Sequence, residues 1–249
     1  MRRKKANPLI RSVLFCPTDK VSLIEKALGV GKNSSLIADV VVLDLEDSVS
    51  PAMKEKAREN IIQVMNNIND SHQRKIPKTL VRINCALTTD WGIDDLKLIS
   101  RAKLDGLLIP KVNNCSELQS TLSLHQSAST IPVWAMVETA KGVLNAHSIA
   151  EVSNIESLVF GSNDLTKDLK SFAVSGRSPL LYSMSHCILA ARAAGKQVVD
   201  GVFMDIKDVN GFQEECISGK NLGFDGEFLS VPSILYYLSM NIFLLNSSR

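Results

Sequence analysis

The chain has 249 residues, of which 45% are hydrophobic and 22% charged, with a formal net charge of +2. A chain of this length can bury a large core, and α/β barrels run to about 250 residues as one unit. The balanced charge gives no sign of a nucleic-acid-binding surface, and no apolar run reaches the roughly 20 residues of a bilayer-spanning helix.

The sequence opens on a basic run, Arg2–Lys5, read as part of a solvated tail over residues 1–10. Short apolar runs then recur at a regular beat: Ser12–Cys16, Val40–Leu43, Thr79–Ile83, Gly106–Ile109, Pro132–Val137, Ser157–Phe160, Gly201–Met204 and Glu227–Val231. Each is nearly continuous in apolar residues, as expected of parallel strands buried on both faces. Helical patterns lie between them. The clearest covers Pro51–Asn69, where Ser50 can act as N-cap and Ala57, Ile61, Val64, Met65 and Ile68 form one apolar stripe. Weaker helices are predicted over Trp91–Arg101, Ser116–Gln126, Pro179–Ala194 and Val209–Ser218, with Gly195 as a stop signal.

Strands alternating with helices imply a closed barrel or a doubly wound sheet. The count of eight favours a single (β/α)8 TIM barrel over residues 11–249. The missing GxGxxG after the first strand argues against a dinucleotide-binding sheet. The five scattered cysteines have no metal-ligand spacing and read as reduced thiols of a cytoplasmic protein. His72, His125, His147 and His186 fall in predicted helices or at their ends and read as surface or packing residues.

In such a barrel, function sits at the C-terminal strand ends. The polar residues there are Asp44, Glu46 and Asp47 after the second strand, and Arg82 and Asn84 at the third. Lys111 follows the fourth, Glu138 the fifth, Asp164 the sixth and Asp205 the seventh. Acids gathered at one mouth need positive charge, and Mg2+ commonly takes one or two protein carboxylates plus other oxygens. Glu138 and Asp164, on neighbouring strand ends, are the candidate pair. Arg82 either closes a structural ion pair or binds an anionic substrate.

Seven segments carry a resemblance. They are RSVLFCP from Arg11, VLDLEDSV from Val42, VRIN from Val81, IPKV from Ile109, VETAKGVLN from Val137, VFGSNDL from Val159 and DGVFMD from Asp200. In this order they resemble the citrate lyase beta subunit and its relatives among the HpcH/HpaI aldolases, including malyl-CoA and citramalyl-CoA lyases. The resemblance implies a homotrimeric TIM barrel with Mg2+ held by Glu138 and Asp164, and Arg82 as substrate-binding arginine. It places the CoA or acyl-carrier thioester near Phe15, Pro17, Asp19 and Lys20, and near Met204 and Asp205. Glu46 and Asp47 match the acids beside the keto-acid site. The implied activity is a Mg2+-dependent carbon–carbon lyase on a 3-hydroxyacyl thioester such as citryl-, malyl- or citramalyl-CoA. The alternatives are an aldolase on a free small keto acid and an inactive barrel serving as a binding or scaffold subunit.

The end of the chain departs from the family. Where relatives read Lys, an apolar pair and His-Pro, this sequence has Glu227-Phe-Leu-Ser-Val-Pro, and Val231 replaces the His. Many relatives carry a catalytic Asp on a C-terminal lid not found here, which leaves Glu46 or Asp47 as candidate base and points to impaired activity. The first loop reads Pro17-Thr18-Asp19 where relatives usually have Pro-Gly. Apolar residues run almost unbroken over Ile234–Leu245, and the tail is expected at a subunit interface.

Overall fold

The structure is a computed structural model describing residues 10–30, 38–68, 76–205 and 207–229. The expectation for the Ile234–Leu245 tail, like that for the basic N-terminus, lies outside the described residues. Eight parallel strands close in sequence order: β1 (Ser12–Pro17), β2 (Val40–Asp44), β3 (Lys78–Arg82), β4 (Gly106–Ile109), β5 (Val133–Val137), β6 (Ile155–Phe160), β7 (Gln197–Val202) and β8 (Gly226–Leu229). The helices among the described residues are α1 (Val21–Ala27), α2 (Lys54–Ile68), α3 (Asp90–Leu96), α4 (Cys115–Ser123), α5 (Ala140–Leu144), α6 (Ala146–Ala150), α7 (Ser162–Asp168), α8 (Leu181–Ala193) and α9 (Val209–Leu222). None is long and apolar enough to cross a membrane.

Strand alternation sorts the apolar residues into two cores. Val13, Val40, Val42, Leu80, Leu108, Trp134, Val159, Val199 and Phe228 point inward and fill the barrel. Their neighbours point outward and pack under the helices. Trp134 is fully buried, and its indole Nε1 donates to Glu156 Oε2 at 2.9 Å, where Lys78 also pairs. That polar set lies toward the strand N-termini and closes the lower end of the interior.

Local chemistry starts and stops the helices. Thr89, Asn114, Thr139 and Asp208 accept from the backbone N–H three residues on, at 3.3, 2.8, 3.0 and 2.9 Å. Gly223 ends α9 at φ 116°, a region that favours glycine. Ser50 differs from expectation. Its side chain makes no cap bond, and Pro51 instead opens a 3-10 turn ahead of α2.

The seventh strand also differs. The expected run Gly201–Met204 is displaced toward the C-terminus by several residues, because β7 begins at Gln197 and includes Asp200. A charge inside the strand broke the apolar pattern. The fold buries it because Arg177 grips Asp200 through two bonds of 2.8 Å. Phe203 has left the strand and packs on Phe212 of α9, with centroids 5.8 Å apart. Asp205 therefore does not end the strand.

Asp200 pairs in register with Glu227 of β8, and both are completely buried beneath α9. Neither Glu227 carboxyl oxygen has a hydrogen-bond partner. Burial raises the Glu227 pKa well above the ordinary value, and the charges of Asp200 and Glu215 add to it against Arg177. A carboxyl raised in the folded state favours folding at low pH, and that contribution is lost as pH climbs toward the folded value. Glu227→Gln is therefore expected to raise the thermal midpoint at pH 8, with the gain shrinking to nothing near pH 4. Calorimetry across that range checks it, and an equal shift at both ends would refute it.

Candidate active site

The β2–β3 side of the barrel mouth is organised by one arginine. Arg82 closes β3, opposite Asp44 in register, and both are buried. Its Nε and Nη2 donate to the two Asp44 oxygens at 2.6 and 2.7 Å. Nη1 lies 2.9 Å from Glu46 Oε2 and 3.4 Å from Asp47 Oδ2. Burial opposes the Asp44 charge, but the two Arg82 bonds hold its pKa below the usual carboxylate range. The guanidinium stacks 4.7 Å from the Phe15 ring, which packs on Phe228 at 4.6 Å.

The loop after β2 is tied down from behind. Lys54 is buried and donates through Nζ to the carbonyls of Leu45 and Glu46 at 2.5 and 2.7 Å. Asn84 Nδ2 bonds the Leu45 carbonyl at 2.9 Å and is itself held by Asp95. Thr18 Oγ1 donates to the Asp44 carbonyl at 2.7 Å. The acids are thus fixed through their backbone as well as their side chains.

Glu138 follows β5 and is 3% exposed. Gly161 leaves room for it, since a Cβ there would meet Glu138 Cβ at 2.4 Å. The Lys111 backbone N–H donates to Glu138 Oε1 at 2.7 Å. Burial raises the Glu138 pKa to about 7, helped by the Glu46 and Asp164 charges. Asp164, in the first turn of α7, accepts from Lys167 at 2.8 Å, and its other oxygen lies 4.0 Å from Lys111 Nζ. The Lys167 bond holds the Asp164 pKa below its ordinary value. Lys111 Nζ also pairs with Glu46 at 2.5 Å.

A cavity of about 1070 Å³ opens here, and Phe15, Asp47, Arg82, Lys111, Glu138, Asp164, Met204 and Phe228 are among the residues that line it. Of the sequence candidates, the structure brings together Phe15, Glu46, Asp47, Arg82, Glu138, Asp164 and Met204. Pro17, Asp19 and Lys20 do not line the cavity, and Asp205 lines a neighbouring one of about 730 Å³. Asp44 and Lys111 had no assigned role in the sequence reading, and both touch several mouth residues. Asp44 carried one usable signal, a charge continuing an apolar strand.

Among the described residues, no group of three or more His, Cys, Asp or Glu forms a complete metal site. Glu138 and Asp164 make a two-carboxylate oxygen set, which suits a hard cation whose shell is finished by water or substrate. Glu46 adds a third carboxylate nearby, its Oε2 ion-paired with Arg82 without a hydrogen bond of good geometry.

A family model described as HpcH/HpaI aldolase/citrate lyase matches residues 11–232. The chain belongs to that family. It is 38% identical over 231 residues to a (3S)-malyl-CoA thioesterase of Cereibacter sphaeroides, covering 93% of this chain and 76% of the relative. It is 31% identical over 233 residues to a citrate lyase subunit beta of Leuconostoc mesenteroides subsp. cremoris, covering 90% and 74%. Among solved structures it resembles CitE of Mycobacterium tuberculosis in complex with magnesium, acetoacetate and coenzyme A. That match has TM-score 0.77 and 28% identity, over 96% of this chain and 83% of the other.

Arg82 is the cation on which the buried acids depend. Arg82→Met is expected to lower the unfolding free energy by about 3–5 kcal/mol, because it strands buried charge. Arg82→Lys keeps the charge but loses part of the fork, at a cost of about 1–2 kcal/mol. Urea denaturation ranks the two, and a methionine variant as stable as the parent would contradict the assignment.

Proposed function

We propose that this chain is a Mg2+-dependent carbon–carbon lyase on a 3-hydroxyacyl-CoA thioester such as citryl-, malyl- or citramalyl-CoA, releasing or joining a keto acid and an acetyl thioester. The observation that carries this reading is the convergence of Arg82, Glu138 and Asp164 on one mouth cavity. The magnesium, acetoacetate and coenzyme A held by the related CitE support it.

Glu138 and Asp164 would hold the ion. When bound, Mg2+ supplies Lewis acidity to the substrate's carboxylate and hydroxyl oxygens. Two of the Arg82 nitrogens are committed to Asp44, which leaves Nη1 on the acid side of the site to stabilise developing enolate charge. Asp47 is the better placed base. Glu46 is 10% exposed and already meets both Arg82 and Lys111, whereas the Asp47 side chain is 64% exposed and lines the cavity. In cleavage, Asp47 takes the hydroxyl proton and the bond between hydroxyl carbon and thioester α-carbon breaks. The hydroxyl carbon becomes the keto-acid carbonyl, and the electron pair passes to the thioester enolate. Protonation at the α-carbon then gives the acetyl thioester. Phe15, Met136, Val159 and Phe228 line the apolar side of the cavity and shield the enolate from water.

A second reading is hydrolysis of the thioester, favoured by the 38% identity to the malyl-CoA thioesterase. Products separate the two. With Mg2+ and malyl-CoA, a lyase yields glyoxylate and acetyl-CoA, whereas hydrolysis yields malate and free CoA thiol. Glu138→Gln and Asp164→Asn are each expected to abolish Mg2+ binding in calorimetry while leaving the thermal midpoint within a few degrees of the parent. Unchanged Mg2+ affinity in both variants would remove the proposed ligands.

A further inference from the structure

Lys111 touches three of the acids at the mouth by two routes. Its backbone sits at φ 53°, a left-handed conformation uncommon outside glycine, just after β4. In that conformation its N–H reaches Glu138 Oε1 at 2.7 Å. Its side chain runs the other way, with Nζ 2.5 Å from Glu46 Oε1 and 4.0 Å from Asp164 Oδ2. The ammonium thus stands among the carboxylates whose charge a divalent cation would neutralise. The side chain is 42% exposed, so it has room to move.

We propose that Lys111 is a built-in rival of the divalent cation: its Nζ neutralises the mouth acids in the cation-free protein and yields to the ion when it binds. Lys111 is then a positioning residue with two separate parts. The amide orients Glu138 in either state, while the ammonium lowers cation affinity by its positive charge and keeps the empty acid cluster from destabilising the barrel. This rests on the proposed Glu138–Asp164 cation site. Lys167 also contacts Asp164, at 2.8 Å, but its side chain is 77% exposed and solvent screens it.

The test uses the full chain and Mn2+, whose free concentration is read by electron paramagnetic resonance. Lys111→Met removes the ammonium. Lys111→Gly removes it too and suits the left-handed backbone, while both keep the amide donor. Both variants are expected to bind Mn2+ about fivefold more tightly than the parent, the size expected from one partly exposed charge, with Lys167→Met changing affinity less than twofold. In chelator, both Lys111 variants should melt below the parent, and saturating Mn2+ should close that gap. A purely structural lysine would leave the gap open in both conditions. Equal or weaker Mn2+ binding by the Lys111 variants, an effect of the same size in Lys167→Met, or a melting deficit that Mn2+ leaves in place overturns the role of Lys111 alone. If the parent and every variant fail to bind Mn2+, the cation site falls and this inference falls with it.

Discussion

One guanidinium holds three carboxylates where β2 meets β3. Isolated buried charges cost several kcal/mol each, so the charge on Asp44 depends on Arg82, and that on Glu46 on Arg82 and Lys111 together. The geometry divides the labour. Nε and Nη2 close on Asp44, which accepts nothing from the substrate side, and Nη1 stays with Glu46 and Asp47. Of the two roles that the sequence left open for Arg82, the structural pair is seen at Nε and Nη2, and Nη1, which meets Glu46 and Asp47, is the nitrogen proposed for an anion. A lysine could not divide itself that way, since its single ammonium has no fixed fork.

A second arginine repeats the logic on the outer wall. Arg177, held at φ 51° in the turn before α8, reaches through to Asp200 of β7. That pair fastens the β6–α8 connection to the barrel, and residues of this connection line the cavity beside the mouth. It is incompletely balanced. Glu215 lies 3.4 Å from Arg177 with its pKa raised to about 7 by burial, and Glu227 has no partner. Three carboxyl groups share one cation, so the lowest-cost state near neutral pH carries bound protons. At the mouth, Lys54 and Lys111 supply further positive charge, yet burial still raises the Glu46 pKa and lifts that of Glu138 to about 7.

The barrel was readable because eight apolar runs and their spacing depend only on which residues can be buried on both faces. The mouth was readable in part. Strand ends locate the acids, and the segments shared with the citrate lyase beta family select among them. What stayed hidden has a common physical cause. Asp200 and Asp44 are charges inside strands, and only a partner distant in sequence makes their burial tolerable. Arg177 and Arg82, 23 and 38 residues away, are those partners. Periodicity sees the charge but not its neutraliser, so it shifted the seventh strand past Asp200. The same blindness applies to Lys111, whose amide contact with Glu138 goes with a left-handed backbone that no side-chain pattern announces. Pro17, Asp19 and Lys20 sit on the mouth side in sequence terms. Their loop turns into α1 and leaves Phe15 as the β1 residue facing the cavity.

The mouth therefore has two halves of different stiffness. Between β2 and β3, Asp44, Asn84 and Lys54 are buried and bonded to backbone groups, and buried Arg82 is bonded to Asp44, so little there can move without exposing an unpaired charge. Between β4 and β6, the contacts to Glu46 and Asp164 come from Lys111 and Lys167, long side chains that are 42% and 77% exposed. The proposed carbon–carbon cleavage would use this division. Stabilising an enolate depends on donors that are already in position when charge develops, because reorganising them would return the energy gained. Admitting an ion and a chelating substrate asks instead for ligands that can exchange one positive partner for another. The rigid half falls on the arginine and the exchangeable half on the lysines, as the hydration and geometry of the two cations would place them.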